Sequence, residues 1–129
     1  MAERYRYLGY RRTSDEVLNN KARNLLKGNG AVFLRNSETG ERIVIDRGLQ
    51  DRLWVTCIDP KEIYSFLFDS NGRVERIARL DQESGQITDV IVGRILHTQL
   101  RTFAPIRKLR EALGRATKMD KSFYVMLRI

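Results

Sequence analysis

Arginine and tyrosine alternate in residues 1–12 of the chain. The cations and aromatics come in the order Arg4, Tyr5, Arg6, Tyr7, Tyr10, Arg11 and Arg12. Guanidinium groups bind phosphate in a two-pronged geometry, and aromatic rings stack on unpaired bases with about 1–3 kcal/mol per base. The segment therefore predicts an arm that binds nucleic acid through Arg4, Arg6, Tyr7, Arg11 and Arg12. The alternative is an edge strand whose tyrosines pack on one face while its arginines point to solvent.

A second group of cations lies on one side of a helix that should begin at Pro105. An apolar stripe at helical spacing contains Ile106, Leu109, Ala112, Leu113 and Ala116. The opposite side holds Arg107, Lys108, Glu111, Arg115 and Lys118, with Arg94, Arg101 and Arg110 nearby in sequence. Such a helix can lie along phosphates or enter a major groove, and it can equally be a solvated outer surface. The nucleic-acid-binding candidates here are Arg101, Arg107, Lys108, Arg115 and Lys118.

A membrane surface is the weaker partner for this basic amphipathic helix. Its apolar stripe contains two alanines and no aromatic residue, and its regular spacing favours contact with a protein core over anionic lipid.

The net charge of +8 is concentrated near the two ends of the sequence. Residues 1–12 contain four cations and one anion, and residues 94–121 contain eight cations and two anions. The long middle section, residues 13–93, is nearly balanced, with 11 cations and 13 anions. A charge excess of this kind predicts a partner rich in phosphate or in carboxylate.

Residues that could support catalysis are few. His97 and Cys57 are the single histidine and cysteine, so a Cys/His nucleophile pair or a metal site has little to draw on. Gly28 and Gly30 stand between a helix and a strand, the reverse of the order in a phosphate-binding loop. Four aspartates at loop edges could hold Mg²⁺ as in a nuclease: Asp46, Asp51, Asp59 and Asp69. Three of them, Asp46, Asp59 and Asp69, are better explained as turn residues that end strands. No pattern predicts a cofactor or a metal.

The elements that position these residues follow from periodicity and turn signals. Thr13 and Glu16 form a capping box that predicts a helix over residues 14–27, ended by Gly28. Strands should follow at 31–35, 41–46, 52–58, 63–69, 73–80 and 87–92, with a tight turn at 70–72. A helical pattern resumes at 94–103 and continues in the helix at 105–118, before a last strand at 123–129.

Together these elements predict one α+β domain over residues 1–129, in which residues 1–12 form the arm or edge strand. The sheet is expected to be mostly antiparallel, with about five to seven strands and with the N-terminal and C-terminal helices packed on it. No apolar run approaches the roughly 20 residues needed to span a membrane, and no secretory signal is visible. With one cysteine, this favours a cytoplasmic location.

Three functions are compatible with these patterns. The first is a non-catalytic nucleic-acid-binding or regulatory domain whose binding energy is mainly electrostatic. The second is a protein-interaction or assembly module, of the kind that a phage or mobile element encodes, which meets an acidic protein or forms a homo-oligomer. The third is a small metal-dependent nuclease. The sequence matches no helix-turn-helix, zinc-finger or other motif that would imply sequence-specific binding.

Overall fold

A computed structural model describes residues 16–81, 83–92, 104–118 and 122–129 of the chain. Helix α1 occupies residues 16–26. Helix α2, Ala104–Thr117, precedes the last strand. A short 3-10 turn, Leu49–Asp51, connects the second and third strands. The strands are β1 Ala31–Asn36, β2 Arg42–Arg47, β3 Leu53–Ile58, β4 Ile63–Phe68, β5 Val74–Leu80, β6 Ile87–Val92 and β7 Phe123–Arg128.

All seven strands form one antiparallel sheet in the order β6-β5-β4-β3-β2-β1-β7. Strands β1 to β6 are a meander, because each connection is short and returns the chain beside the strand it has just left. Strand β7 instead lies beside β1, with Arg35 opposite Tyr124 and Asn36 opposite Phe123. The two edges of the sheet are therefore β6 and β7.

One face of the sheet forms the core. Side chains alternate between the two faces along each strand, and the buried set lies in register from strand to strand. Val32 faces Ile45, which faces Val55, and Val55 faces Phe66. All four are fully buried. The same cluster contains Leu18 and Leu26 from α1 and Leu109 and Leu113 from α2, so both helices cover this face.

Local backbone geometry ends α1 and fits it against the sheet. Lys27 and Gly28 adopt positive φ angles of 50° and 75°, a left-handed end that glycine accepts without strain. The turn between β4 and β5 contains Gly72 at φ 81°. A Cβ atom on Gly72 would lie 3.0 Å from Nδ2 of Asn19 in α1, so the close approach of turn and helix also requires glycine.

The apolar stripe predicted for the C-terminal helix is confirmed. Ile106 is 1% exposed, and the other members are completely buried: Leu109, Ala112, Leu113 and Ala116. Mixed α+β architecture and the antiparallel sheet are confirmed as well. Thr13 and the helical pattern at 94–103 lie outside the described residues. The extent of a single domain stays a prediction.

Candidate functional site

Most of the residues predicted to bind nucleic acid lie outside the described part of the chain. These are Arg4, Arg6, Tyr7, Arg11, Arg12 and Arg101. The structure places the remaining four on or just after α2, and it divides them into two kinds. Lys108 and Arg115 form ion pairs with the sheet, whereas Arg107 and Lys118 are exposed.

Lys108 ties the first half of α2 to the loop between β3 and β4. Its Nζ donates to Oε2 of Glu62 at 2.6 Å and lies 4.0 Å from Oδ2 of Asp59. The hydrogen bond to Glu62 raises the pKa of Lys108, and the charges of Glu62 and Asp59 add to it against a smaller desolvation effect. The ammonium group is therefore charged at neutral pH and already occupied by carboxylates.

Arg115 ties the second half of α2 to the start of β2. Its Nη2 donates to Oε2 of Glu41 at 2.8 Å, and its guanidinium carbon lies 6.0 Å from the centre of the Phe123 ring. The Glu41 side chain is only 16% exposed, so little water is available to replace this partner. Sequence reasoning placed Arg115 on the solvated side of the helix; in the structure it is half-buried at the contact with the sheet.

Removal of Arg115, the ion-pair partner of Glu41, gives a testable prediction. We expect Arg115→Met, which keeps most of the aliphatic stem, to lower the free energy of unfolding by about 1–2 kcal/mol because Glu41 is left charged and poorly solvated. Urea unfolding measures the change. Arg110→Met, on the exposed side of the same helix, is the matched control and should stay within about 0.5 kcal/mol of the original chain. Equal stabilities of the two variants would contradict the role of the ion pair.

Three cations remain free on the outer surface of α2. Arg107 and Arg110 are exposed within the helix, and Lys118 is exposed directly after it. In the described part of the chain, none of the three is ion-paired with a carboxylate. We call these residues, Arg107, Arg110 and Lys118, the helix cations.

A cleft of about 230 Å³ opens between α2 and the ends of β2, β3 and β4. Its charged lining is Glu41, Asp59, Lys108, Glu111 and Arg115, and its remaining lining includes Cys57, Tyr64 and Phe66. Pockets that bury a drug-sized ligand usually exceed about 300 Å³. Because Lys108 and Arg115 are already paired across it, the cleft offers little free charge to a ligand.

Cys57 keeps part of its surface at the wall of this cleft, yet its thiol is poorly solvated. The pKa of Cys57 is raised from 9.0 to about 12, chiefly by burial; the charges of Glu41 and Asp59 contribute to the rise, and Arg115 opposes it. A thiol with this pKa is neutral at physiological pH. It is a poor nucleophile in that state, because the thiolate is the reactive species.

Three of the four aspartates of the nuclease hypothesis already have partners within the fold. Oδ1 of Asp59 accepts backbone N–H groups of Lys61 and Glu62 at 2.8 and 2.6 Å. Asp69 accepts two backbone N–H groups in its own turn in the same way. Asp51 pairs with Arg23 at 3.3 Å, and Asp46 lies inside β2 rather than at its end. Within the described ranges, no three metal-ligating side chains come together.

The face of the sheet opposite the helices carries a set of residues that sequence reasoning missed. We call it the helix-free face, because no described helix packs on it. Arg35 lies directly opposite Arg42, and Tyr124 lies beside Arg35 on the neighbouring strand. Phe33 and Trp54 are half-buried on the same face. The signal was hidden because β1 reads Ala-Val-Phe-Leu-Arg-Asn, which is apolar at successive positions and does not reveal which face is buried.

Strand β7 is an edge strand with an apolar surface. Among the described residues, most of the exposed large hydrophobic side chains belong to this strand and the residue after it: Tyr124, Met126, Leu127 and Ile129. An edge strand presents unpaired backbone N–H and C=O groups, and natural edges are commonly protected by charges. The outer edge of β7 is thus a place where another strand could pair.

No described helix has both the length and the apolar content that crossing a bilayer requires. Comparison of the chain with protein-family models, with curated proteins and with solved structures finds no match. The function of this chain must therefore be inferred from the chemistry of its own residues.

Proposed function

We propose that the chain is a non-catalytic nucleic-acid-binding domain that holds the phosphate backbone by electrostatic contacts. The observation that carries the proposal is the row of helix cations, which are exposed and free of carboxylate partners among the described residues. The net charge of +8 supports it, because a surplus of this size attracts polyanions over distances of a Debye length.

The arrangement favours backbone contacts over the recognition of base sequence. Arg107 and Arg110 are separated by one helical turn, and Lys118 lies about three turns from Arg107, or roughly 16 Å at 1.5 Å per residue. Cations at such intervals can each reach a different phosphate. Contacts to phosphate position a protein without carrying sequence information, so we expect similar affinity for unrelated sequences.

The test is a binding titration with labelled single-stranded and double-stranded DNA and RNA over a series of salt concentrations. We expect measurable affinity that falls linearly with salt on logarithmic axes, because each neutralised phosphate releases counterions. The double variant Arg107→Gln/Lys118→Gln should reduce the slope by about 1.4 to 1.8 and the affinity roughly tenfold at low salt. Lys21→Gln/Lys27→Gln removes the same charge from α1 and the residue that follows it, and should have a smaller effect on both.

Absence of binding at low salt would overturn this proposal and favour the second candidate, an assembly module. The apolar edge of β7 is the observation that supports this alternative. An assembly module predicts a homo-oligomer, or a complex with an acidic protein, that persists at high salt. Light scattering after size-exclusion chromatography distinguishes such a species from a monomer.

A further inference from the structure

The helix-free face combines cations with aromatic rings in a fixed register. Arg35 and Arg42 are both exposed and stand directly opposite one another on β1 and β2. Like charges directly opposite one another destabilise a sheet. No described carboxylate is ion-paired with either arginine. A bound phosphate would relieve the repulsion, because two arginine side chains whose Cβ atoms lie about 5 Å apart can both donate to its oxygens.

Aromatic side chains lie on the same face near this arginine pair. Tyr124 is beside Arg35 in the register and is 42% exposed. Phe33 precedes Arg35 by two positions, which places it about 6.6–6.8 Å along the same strand. Trp54 lies on β3, opposite Asp46 of β2. Both Phe33 and Trp54 are half-buried and so keep part of their surface accessible to solvent.

The two ends of the helix-free face differ in charge. Arg35, Arg42 and Tyr124 are at one end, and Asp46 is beside Trp54 toward the other. A carboxylate repels phosphate but tolerates the face of a neutral base. We therefore expect phosphate at the arginine pair and bases over the aromatic rings.

We infer that the helix-free face is a platform for single-stranded nucleic acid, with Arg35 and Arg42 on the phosphate and with Phe33, Trp54 and Tyr124 against unpaired bases. The inference rests on the proposed function and names its substrate class. Single strands fit because their bases are free to stack on aromatic side chains of a sheet, whereas the bases of a duplex already stack on one another. Stacking on each aromatic ring stabilises any base, so it is compatible with binding that does not depend on sequence.

Trp54 is the only tryptophan of the chain, so its fluorescence reports directly on this face. The probe is a single-stranded oligothymidylate of about 20 nucleotides, longer than the roughly 4–16 nucleotides that a stacking module covers. A duplex of the same length is the comparison. We expect quenching of Trp54 by the single strand, no quenching by the duplex, and tighter binding of the single strand at equal salt.

Two variants test the named residues. Arg35→Gln/Arg42→Gln should weaken single-strand binding roughly tenfold and reduce the salt slope by about 1.4, the value for two phosphates of a single strand. Phe33→Ala should weaken binding at least about fivefold through lost stacking. Lys21→Gln/Lys27→Gln is the control of equal charge, and circular dichroism confirms that each variant is folded.

The outcomes separate the two proposals. Binding that depends on Arg107 and Lys118, without quenching of Trp54 and without an effect of Arg35→Gln/Arg42→Gln, would overturn the platform and leave the proposed function standing. No binding of either oligonucleotide at low salt would overturn both. Quenching of Trp54 by self-association, with no nucleic acid present, would also overturn the platform, because the face would then be a protein interface.

Discussion

The Phe66→Ala variant should lose about 3–5 kcal/mol of its free energy of unfolding, the usual cost of removing a fully buried phenyl ring. Phe66 lies on the interior strand β4 and is completely buried. It faces Val55 on one neighbouring strand and Ile77 on the other. Its ring centre lies 6.4 Å from that of Tyr64. Neighbours fixed in a sheet cannot collapse into the space, so a cavity remains. Urea unfolding measures the loss.

Phe33→Ala is the matched control, because it makes the same substitution on the opposite face of the sheet. Phe33 is half-buried and no described helix packs against it, so we expect a loss below about 2 kcal/mol, in proportion to the smaller area removed from water. If Phe33→Ala were as destabilising as Phe66→Ala, the helix-free face would be covered in the folded protein. That result would also count against this face as a binding platform.

Cys57 should react with iodoacetamide about a thousandfold more slowly at pH 8 in the native protein than in urea. The thiolate is the reacting species, and the pKa of this thiol rises from 9.0 to about 12 on folding, chiefly through burial. Each pKa unit lowers the thiolate fraction about tenfold at a pH below both values. The chain has a single cysteine, so alkylation followed by mass spectrometry reports this site alone.

The pH dependence of this reaction provides its control. In urea the rate should level off above about pH 9, whereas in the native protein it should keep rising towards pH 12 for as long as circular dichroism shows a folded chain. Because the pKa of Cys57 is higher in the folded state, the unfolded state releases the thiol proton at a lower pH. The contribution of this thiol to the free energy of unfolding is therefore fully present below pH 9 and is lost as the pH rises from 9 to 12. A native rate within tenfold of the urea rate would contradict the closed environment of the thiol.

The cations of α2 differ in whether they have carboxylate partners in the fold. Helical periodicity does not distinguish the four predicted binding residues here, because all of them occur at positions away from the apolar stripe: Arg107, Lys108, Arg115 and Lys118. The fold gives Lys108 and Arg115 carboxylate partners from the strands and loops beneath them. These two residues pair with carboxylates on the sheet side, whereas Arg107 and Lys118 stay exposed to solvent. A distinction of this kind requires knowledge of what lies under the helix.

Local sequence was sufficient to predict the strands and the two helices of the described residues, but not the 3-10 turn at Leu49–Asp51. Gly28, Gly40 and Gly72 all adopt positive φ angles, and each marks an element boundary that turn preferences predict. The apolar period of α2 specified its buried side, since only one stripe of that helix is continuous. Strands β1 to β6 were found because short turns force successive antiparallel pairing. The α+β class follows from these local facts.

The tertiary structure decided the relations between distant segments. Strand β7 pairs with β1 rather than β6, a choice between two edges that local patterns do not contain. In β1, Val32 and Phe33 are both apolar, so only the docking of α1 and α2 determines that Val32 is buried and Phe33 is not. Because α1 and α2 pack on the other face, Arg35, Arg42 and Tyr124 lie on the helix-free face. Residue types and turns are encoded locally. Which side chains share an exposed face depends on long-range packing, and in this chain that packing brings the residues of the candidate site together.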